Sequence, residues 1–386
     1  MMEKMQTLHR LSREPVQTSV DHITIRGFKS IASIDKLPLR PVNILIGANG
    51  AGKSNFVEAF SFLAEIREGR LDRYVRQAGG AERLLHFGSK HTTKVEFDLS
   101  FANGVTQYEL SLIPTQLDQL VPLVENVAFW NREDYSAPEW QPVPPIHTAT
   151  EAGISDQRVS QIARHVRDHL DGWRVFHFHD TGFLSGLRKT SELDDNRILA
   201  RDGSNLAAIL YLLQERHPKE YDLVRKTIQL VAPYFENFQL APRGLEGNQV
   251  RLEWRHRESD QYFDVSALSD GTIRFIALAT LFLQPRAMRP SVIVVDEPEL
   301  GLHPYAIELL SSLVKQASFS TQIIVSTQSS LLLDYFEPDD VLVAERKAHA
   351  TVFRRLESSE LGEWLSDYSL GQLWEKNHFG GRPARD

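Results

Sequence analysis

The sequence predicts an α/β fold, with a mixed sheet, helices on both faces and an inserted lid and helical subdomain. Three observations predict it. The apolar run Val42-Asn43-Ile44-Leu45-Ile46 enters a glycine-rich stretch, and helical periodicity follows directly. Two further runs, residues 292–295 and 322–326, are dominated by Val and Ile and end in polar residues, the pattern of strands buried on both faces. Helix-spaced apolar residues lie between these runs, so strand and helix alternate as they do in sheets covered by helices.

The elements follow in order. Residues 1–20 are polar and lack the apolar core of a signal peptide, so they read as a flexible extension. Order begins near Asp21, where Ile23, Ile25 and Phe28 alternate with polar residues as in a strand. After the glycine-rich stretch, Phe56, Phe60 and Leu63 recur at helical spacing with Val57 and Ala64 beside them. Residues 92–113 read as two antiparallel strands turning at Asn103-Gly104. Residues 114–172 hold Pro114, Pro122, Pro138, Pro142, Pro144 and Pro145 and read as an inserted subdomain with long loops. Two helices are expected over 204–216 and 219–231, a strand over 250–254, an apolar helix over 273–283 and another helix over 304–316. A last strand near 341–344 precedes an aromatic helix with Trp364, Tyr368 and Trp374. The expected division is a first lobe over 21–113, a lid and helical lobe over 114–287, and a return to the first lobe over 288–386.

Composition narrows the function. The chain has 386 residues, which suggests more than one domain-sized piece. Its net charge of −8 excludes a basic footprint over the whole surface, so any nucleic-acid contact must be a local patch. There is no Cys, which excludes disulfides, thiolate metal sites and Cys nucleophiles and fits a cytoplasmic protein. No apolar run approaches the roughly 18–20 residues of a membrane helix, so no membrane partner is expected.

The chemistry centres on Gly47-Ala48-Asn49-Gly50-Ala51-Gly52-Lys53-Ser54, which fits G-x-x-x-x-G-K-[ST] between a strand and a helix. Glycines let backbone N–H groups converge on phosphate oxygens, and the helix N-terminus adds partial positive charge. Lys53 would reach the β- and γ-phosphates of ATP, with Asn55 next to the site, and the Ser54 hydroxyl would bind Mg²⁺. A strand-end carboxylate is the complementary requirement. Residues 292–295 lead into Asp296-Glu297, placing Asp296 where ligands of open α/β sheets bind. Asp296 is expected to hold Mg²⁺ and Glu297 to orient or deprotonate the attacking water.

This order of motifs resembles the ATP-binding-cassette ATPases, and within them the RecF- and SMC-like P-loop NTPase heads. The compact RecF-like ATPases and the ATPase domains of the overcoming lysogenization defect (OLD) family are similar too. The resemblance rests on Ile25-Arg26-Gly27-Phe28-Lys29-Ser30, on residues 47–54, on Leu268-Ser269-Asp270-Gly271-Thr272 and on Asp296-Glu297-Pro298. It implies that Ser269 and Gly271 form a signature loop facing the γ-phosphate held by a second copy, so that ATP joins two heads as a homodimer. The signature carries Asp270 and Thr272 where the family has Gly and Gln, and Gln328 stands at the usual His switch position. Gln can hydrogen-bond a γ-phosphate but cannot carry its proton, which implies slow turnover. The lid glutamine has no firm counterpart, Gln107 being the nearest guess.

The resemblance implies Mg²⁺-dependent ATP hydrolysis acting on or near duplex DNA, in repair or in defence against foreign DNA. Only 40 residues follow Arg346, so any cutting is expected from a separate nuclease. The alternative is an ATP-switched scaffold that holds or releases an effector or toxin without DNA. Arg67, Arg70, Arg73 and Arg76 read first as a solvated helix face and second as a DNA-backbone contact. His177, His179 and Asp180 read first as structural and second as a metal site; on a strand the two imidazoles share a face and Asp180 points away.

Overall fold

The computed structural model describes residues 19–132, 135–145, 150–244 and 247–381. The expected extension therefore lies outside the described residues except for Ser19 and Val20, and Val20 already opens the first strand.

Two six-stranded sheets organise the chain. The first is antiparallel, in the order β2 (Ile31–Pro38), β1 (Val20–Phe28), β4 (Val95–Phe101), β5 (Thr106–Pro114), β6 (Leu120–Phe129) and β7 (Glu139–Pro142). The second runs β17 (Ala350–Arg355), β16 (Val341–Lys347), β3 (Val42–Ile46), β15 (Gln322–Thr327), β14 (Val292–Asp296) and β8 (Trp173–Phe176). Its strands are parallel from β16 to β8, and only β17 is antiparallel to its neighbour. The mixed sheet is as expected. The strand β8 was not anticipated, and it joins this sheet from the middle of the chain.

Alternation along the second sheet divides the core in two. Val42, Ile44, Ile46, Ile293, Val295, Ile323 and Val325 face one apolar cluster, while Leu45, Val292, Val294 and Ile324 face the other. The helices longer than ten residues are labelled in chain order. Helix α1 (Lys53–Arg67) lies in the second cluster with the antiparallel sheet and α2 (Gln161–Asp171). Nine of the 15 residues of α1 are buried, the signature of a helix packed on several sides. The first cluster is covered by α3 (Leu206–Arg216), α4 (Pro218–Val231), α5 (Asp270–Leu283) and α6 (Pro304–Ala317).

The proline-rich stretch departs most from expectation. Residues 120–129 and 139–142 are strands that widen the antiparallel sheet, and α2 packs beneath them. Pro122 is tolerated because the pairing shifts register between Ser111 and Leu112, directly where Pro122 stands opposite Leu112. The expected 250–254 strand is split into β11 (Gln249–Val250) and β12 (Glu253–His256). The C-terminal aromatic helix is shorter than expected, a single turn at Trp364–Ser366 followed by a helix over Leu370–Glu375.

One buried amide fastens the two sheets together. Gln322 of β15 accepts from the Val20 N–H at 3.0 Å and donates to the Val20 and Arg40 carbonyls at 2.9 and 3.1 Å. Gln322→Ala strands these groups away from water, and a loss of about 2–4 kcal/mol is expected. Urea denaturation of the variant beside the wild type measures it, and a loss below about 1 kcal/mol would remove the clamp from this account.

Candidate active site

Parallel pairing brings four strand ends to one edge. β3, β15, β14 and β8 finish at Ile46, Thr327, Asp296 and Phe176, and the segments after β3, β14 and β15 supply residues that line one pocket. Residues 47–52 turn from β3 into α1. Gly50 and Gly52 have φ of +77° and +100°, which a residue with a Cβ rarely adopts. A Cβ on Gly52 would lie 2.0 Å from the Thr351 hydroxyl, and one on Gly47 would lie 2.4 Å from the Ala344 carbonyl oxygen. The loop is also tied from outside, because the Ala48 N–H donates to the Gly381 carbonyl at 2.6 Å.

The pocket is a cavity of about 320 Å³. Asn49, Gly50, Gly52, Lys53, Ser54 and Asn55 line one side, and Glu297 and Gln328 face them. Of the residues expected at the phosphates, Asn49, Gly50, Gly52, Lys53, Ser54 and Asn55 thus line this pocket, while Gly47, Ala48 and Ala51 do not, and Ala51 is buried. Ser30 and Arg346 complete the lining; neither was anticipated as a site residue. Asn55 Nδ2 donates to the Ser30 hydroxyl at 2.6 Å, and that hydroxyl lies 2.7 Å from the hydroxyl of Thr351.

Lys53 is 5% exposed and donates to the carbonyls of Gly47 at 2.7 Å and Ala48 at 3.1 Å. Burial pushes its pKa down, against the opposing pull of Glu297, Asp296 and Glu299. Glu297 has φ of +41° and hydrogen-bonds through its N–H to the Ser326 carbonyl at 2.7 Å. A non-glycine residue held there is strained, a feature that clusters at functional sites. The Gln328 amide donates to Glu297 Oε1 at 2.5 Å. Glu299, another unanticipated neighbour, accepts from the Thr327 hydroxyl at 2.5 Å, and burial raises its carboxyl above the usual range.

Asp296 ends β14. Its Oδ1 is buried without a hydrogen-bond partner among the described residues. His179 Nε2 donates to the Asp296 backbone carbonyl at 2.7 Å. Ser269 and Gly271 are not part of the pocket lining. Ser269 caps α5, accepting from the Thr272 N–H, and a Cβ on Gly271 would lie 2.4 Å from the Gly301 carbonyl oxygen. Asp270 pairs with Arg188 at 2.9 Å, which offsets its charge. Gln107 lies in β5 of the other sheet and bonds the Gly104 carbonyl, away from the pocket lining. Arg67, Arg70 and Arg76 are paired with Asp171, Glu65 and Asp72, so the arginine series is largely neutralised.

Heads of this architecture are known. The SMC head bound to the C-terminal winged-helix domain of ScpA matches with a TM-score of 0.58 at 16% identity, over 88% of this chain and 99% of that one. An SMC head from Pyrococcus furiosus bound to the C-terminal domain of ScpA matches with a TM-score of 0.56 at 15% identity, over 90% and 98%. These likenesses show the fold, that of an SMC head. The chain belongs to the family described as "AAA domain, putative AbiEii toxin, Type IV TA system", whose model matches residues 42–334. It is also similar to the DNA replication and repair protein RecF of Nitrosococcus oceani, 35% identical over 85 residues, or 20% of this chain and 23% of that protein. The Old nuclease of Escherichia phage P2 is 23% identical over 88% of this chain and 61% of its own length. The chain thus spans about a quarter of the RecF relatives it matches. No helix among the described residues is long and apolar enough to cross a membrane.

The Lys53 environment has a pH signature. A lysine whose pKa is lowered on folding costs stability while charged, and that cost disappears as pH rises from the lowered value towards 10.5. The stability of wild type relative to Lys53→Met is therefore expected to improve with pH up to that limit, measured by denaturant midpoints without nucleotide. A difference independent of pH would mean that Lys53 is not desolvated.

Proposed function

We propose that the chain is a Mg²⁺-dependent ATPase whose ATP-bound heads pair as a homodimer and act on or near DNA. The observation that carries the reading is the opposition of Lys53 and Ser54 to Glu297 across one pocket. The N–H groups of the 47–54 loop would bind the phosphates, and Lys53 would exchange its carbonyl partners for β- and γ-phosphate oxygens.

The donors suit the metal, since the Ser54 hydroxyl lines the pocket and Asp296 Oδ1 is an unsatisfied oxygen ligand. Ser54 and Asp296 would hold Mg²⁺, which when bound neutralises charge on the transferring phosphoryl group. Glu297 would accept a proton from water as the water oxygen bonds to the γ-phosphorus and the bond to the bridging β–γ oxygen breaks. The Gln328 amide fixes the Glu297 carboxylate now and could turn to the γ-phosphate. Gln328 would thus couple the water-activating group to nucleotide occupancy.

The signature loop supports pairing. Ser269 and Gly271 open α5, whose N-terminus suits an anion, yet they do not line this chain's own pocket. A second copy would bring its own Ser269 and Gly271 to the open side. The DNA link draws on the relatives named for DNA repair and for a nuclease. An effector-holding scaffold is the second reading, favoured by the net charge of −8 and by the paired arginines. A cytoplasmic setting follows from both.

Hydrolysis of ATP is expected to fall at least about 100-fold in Lys53→Ala and in Glu297→Gln. Glu297→Gln should keep ATP binding and shift the chain towards dimer in sedimentation. Duplex DNA should raise the wild-type rate more at low than at high salt. Indifference to DNA favours the effector-holding reading, and turnover surviving Lys53→Ala overturns the site.

A further inference from the structure

We propose that His177, His179 and Asp296 form a binding site for a first-row divalent transition-metal ion, filled without nucleotide. The site shares Asp296 with the Mg²⁺ role proposed above but lies at the end of β8, where the two imidazoles are residues that the nucleotide reading does not use.

The topology creates the cluster. β8 runs parallel to β14 with Phe176 opposite Val295, so the next residues, His177 and Asp296, leave the sheet side by side. Phe176 and Phe178 both enter the same apolar cluster, which leaves His177 and His179 on the side away from it. One ligating atom from each of the three residues lies within 4.8 Å of the others.

The surroundings hold this arrangement in place. Arg274, 4% exposed on α5, donates to the Phe178 carbonyl at 2.8 Å and the His179 carbonyl at 3.0 Å. The His177 N–H donates to the Arg201 carbonyl at 2.9 Å. A carbonyl oxygen only accepts, so the 2.7 Å contact with Asp296 places a proton on His179 Nε2. Metal-binding imidazoles are commonly oriented by such a bond from their other ring nitrogen.

Asp296 Oδ1 supplies the independent pointer to a cation. It is buried and accepts no hydrogen bond among the described residues, a costly state for a carboxylate oxygen. The donor set decides the class of ion. Two imidazoles with one carboxylate suit Zn²⁺, Co²⁺ or Ni²⁺, whereas Mg²⁺ takes oxygen ligands at near-octahedral geometry. His177 also lines a second cavity, of about 470 Å³, which gives an ion entry and leaves room for water to complete its coordination.

Co²⁺ titrated into the nucleotide-free full chain tests this. One equivalent is expected to develop the visible absorption of nitrogen-ligated Co²⁺, and Zn²⁺ is expected to displace it. His177→Ala and His179→Ala should each weaken binding at least tenfold, and the double variant should abolish the bands while keeping the far-ultraviolet circular dichroism of wild type. Lys53→Ala should retain the bands, which separates failure of the nucleotide reading from failure of this one. Bands that survive the double substitution, no binding, or an oxygen-only spectrum displaced equally by Mg²⁺ would overturn the proposal.

Discussion

Parallel pairing of β3, β15, β14 and β8 is the constraint on which the site depends. Register sets Asp296 beside Ser326 and Thr327 beside Ile46, so the residues that follow these strands emerge in one row. The sheet interior cannot supply functional groups, because its side chains alternate into two apolar clusters. Chemistry is therefore confined to the first residues beyond each strand. The loop from Gly47, the Glu297 carboxylate, the Gln328 amide and the two imidazoles after β8 all obey that rule.

This confinement explains which parts were legible in the sequence. Residues 47–54 and 296–297 announce themselves locally, through glycines at required φ and carboxylates after a β-branched run. Gln328 was singled out only through the family resemblance, as the residue standing at the switch position after β15. Ser30, Thr351 and Arg346 were not legible, because long-range pairing brings them in: Ser30 meets Thr351 across 321 positions. His177 and His179 were visible as a pair but not as neighbours of Asp296, since no local signal says that β8 lies next to β14. Proline misled the reading of residues 114–172, because a register shift accommodates Pro122 within a strand. The split between β11 and β12 was hidden for a different reason. Val250, Leu252 and Trp254 are all buried and alternate cleanly, although the backbone leaves the ladder at Arg251 and Leu252.

Charge in the nucleotide pocket constrains its chemistry beyond the match to a motif. Lys53 experiences three carboxylates, those of Glu297, Asp296 and Glu299, and it is the lysine buried among them. Its ammonium is satisfied by two loop carbonyls, Glu297 by Gln328, and Glu299 by Thr327, so much of the site's polarity is already paired. A triphosphate entering here adds negative charge to a surplus of carboxylates, which Lys53 and the Arg346 that also lines the pocket offset only in part. On the proposed reading, electrostatics thus favours a divalent cation. Among the described residues Asp296 Oδ1 and Glu299 Oε2 are the buried carboxylate oxygens near Lys53 left without a donor, and Asp296 is the one beside the imidazole pair. If both proposals hold, metal identity becomes the variable that this chain can tune: oxygen ligands alone would favour the Mg²⁺ that accompanies nucleotide, and the adjoining imidazoles would favour a softer ion in its absence.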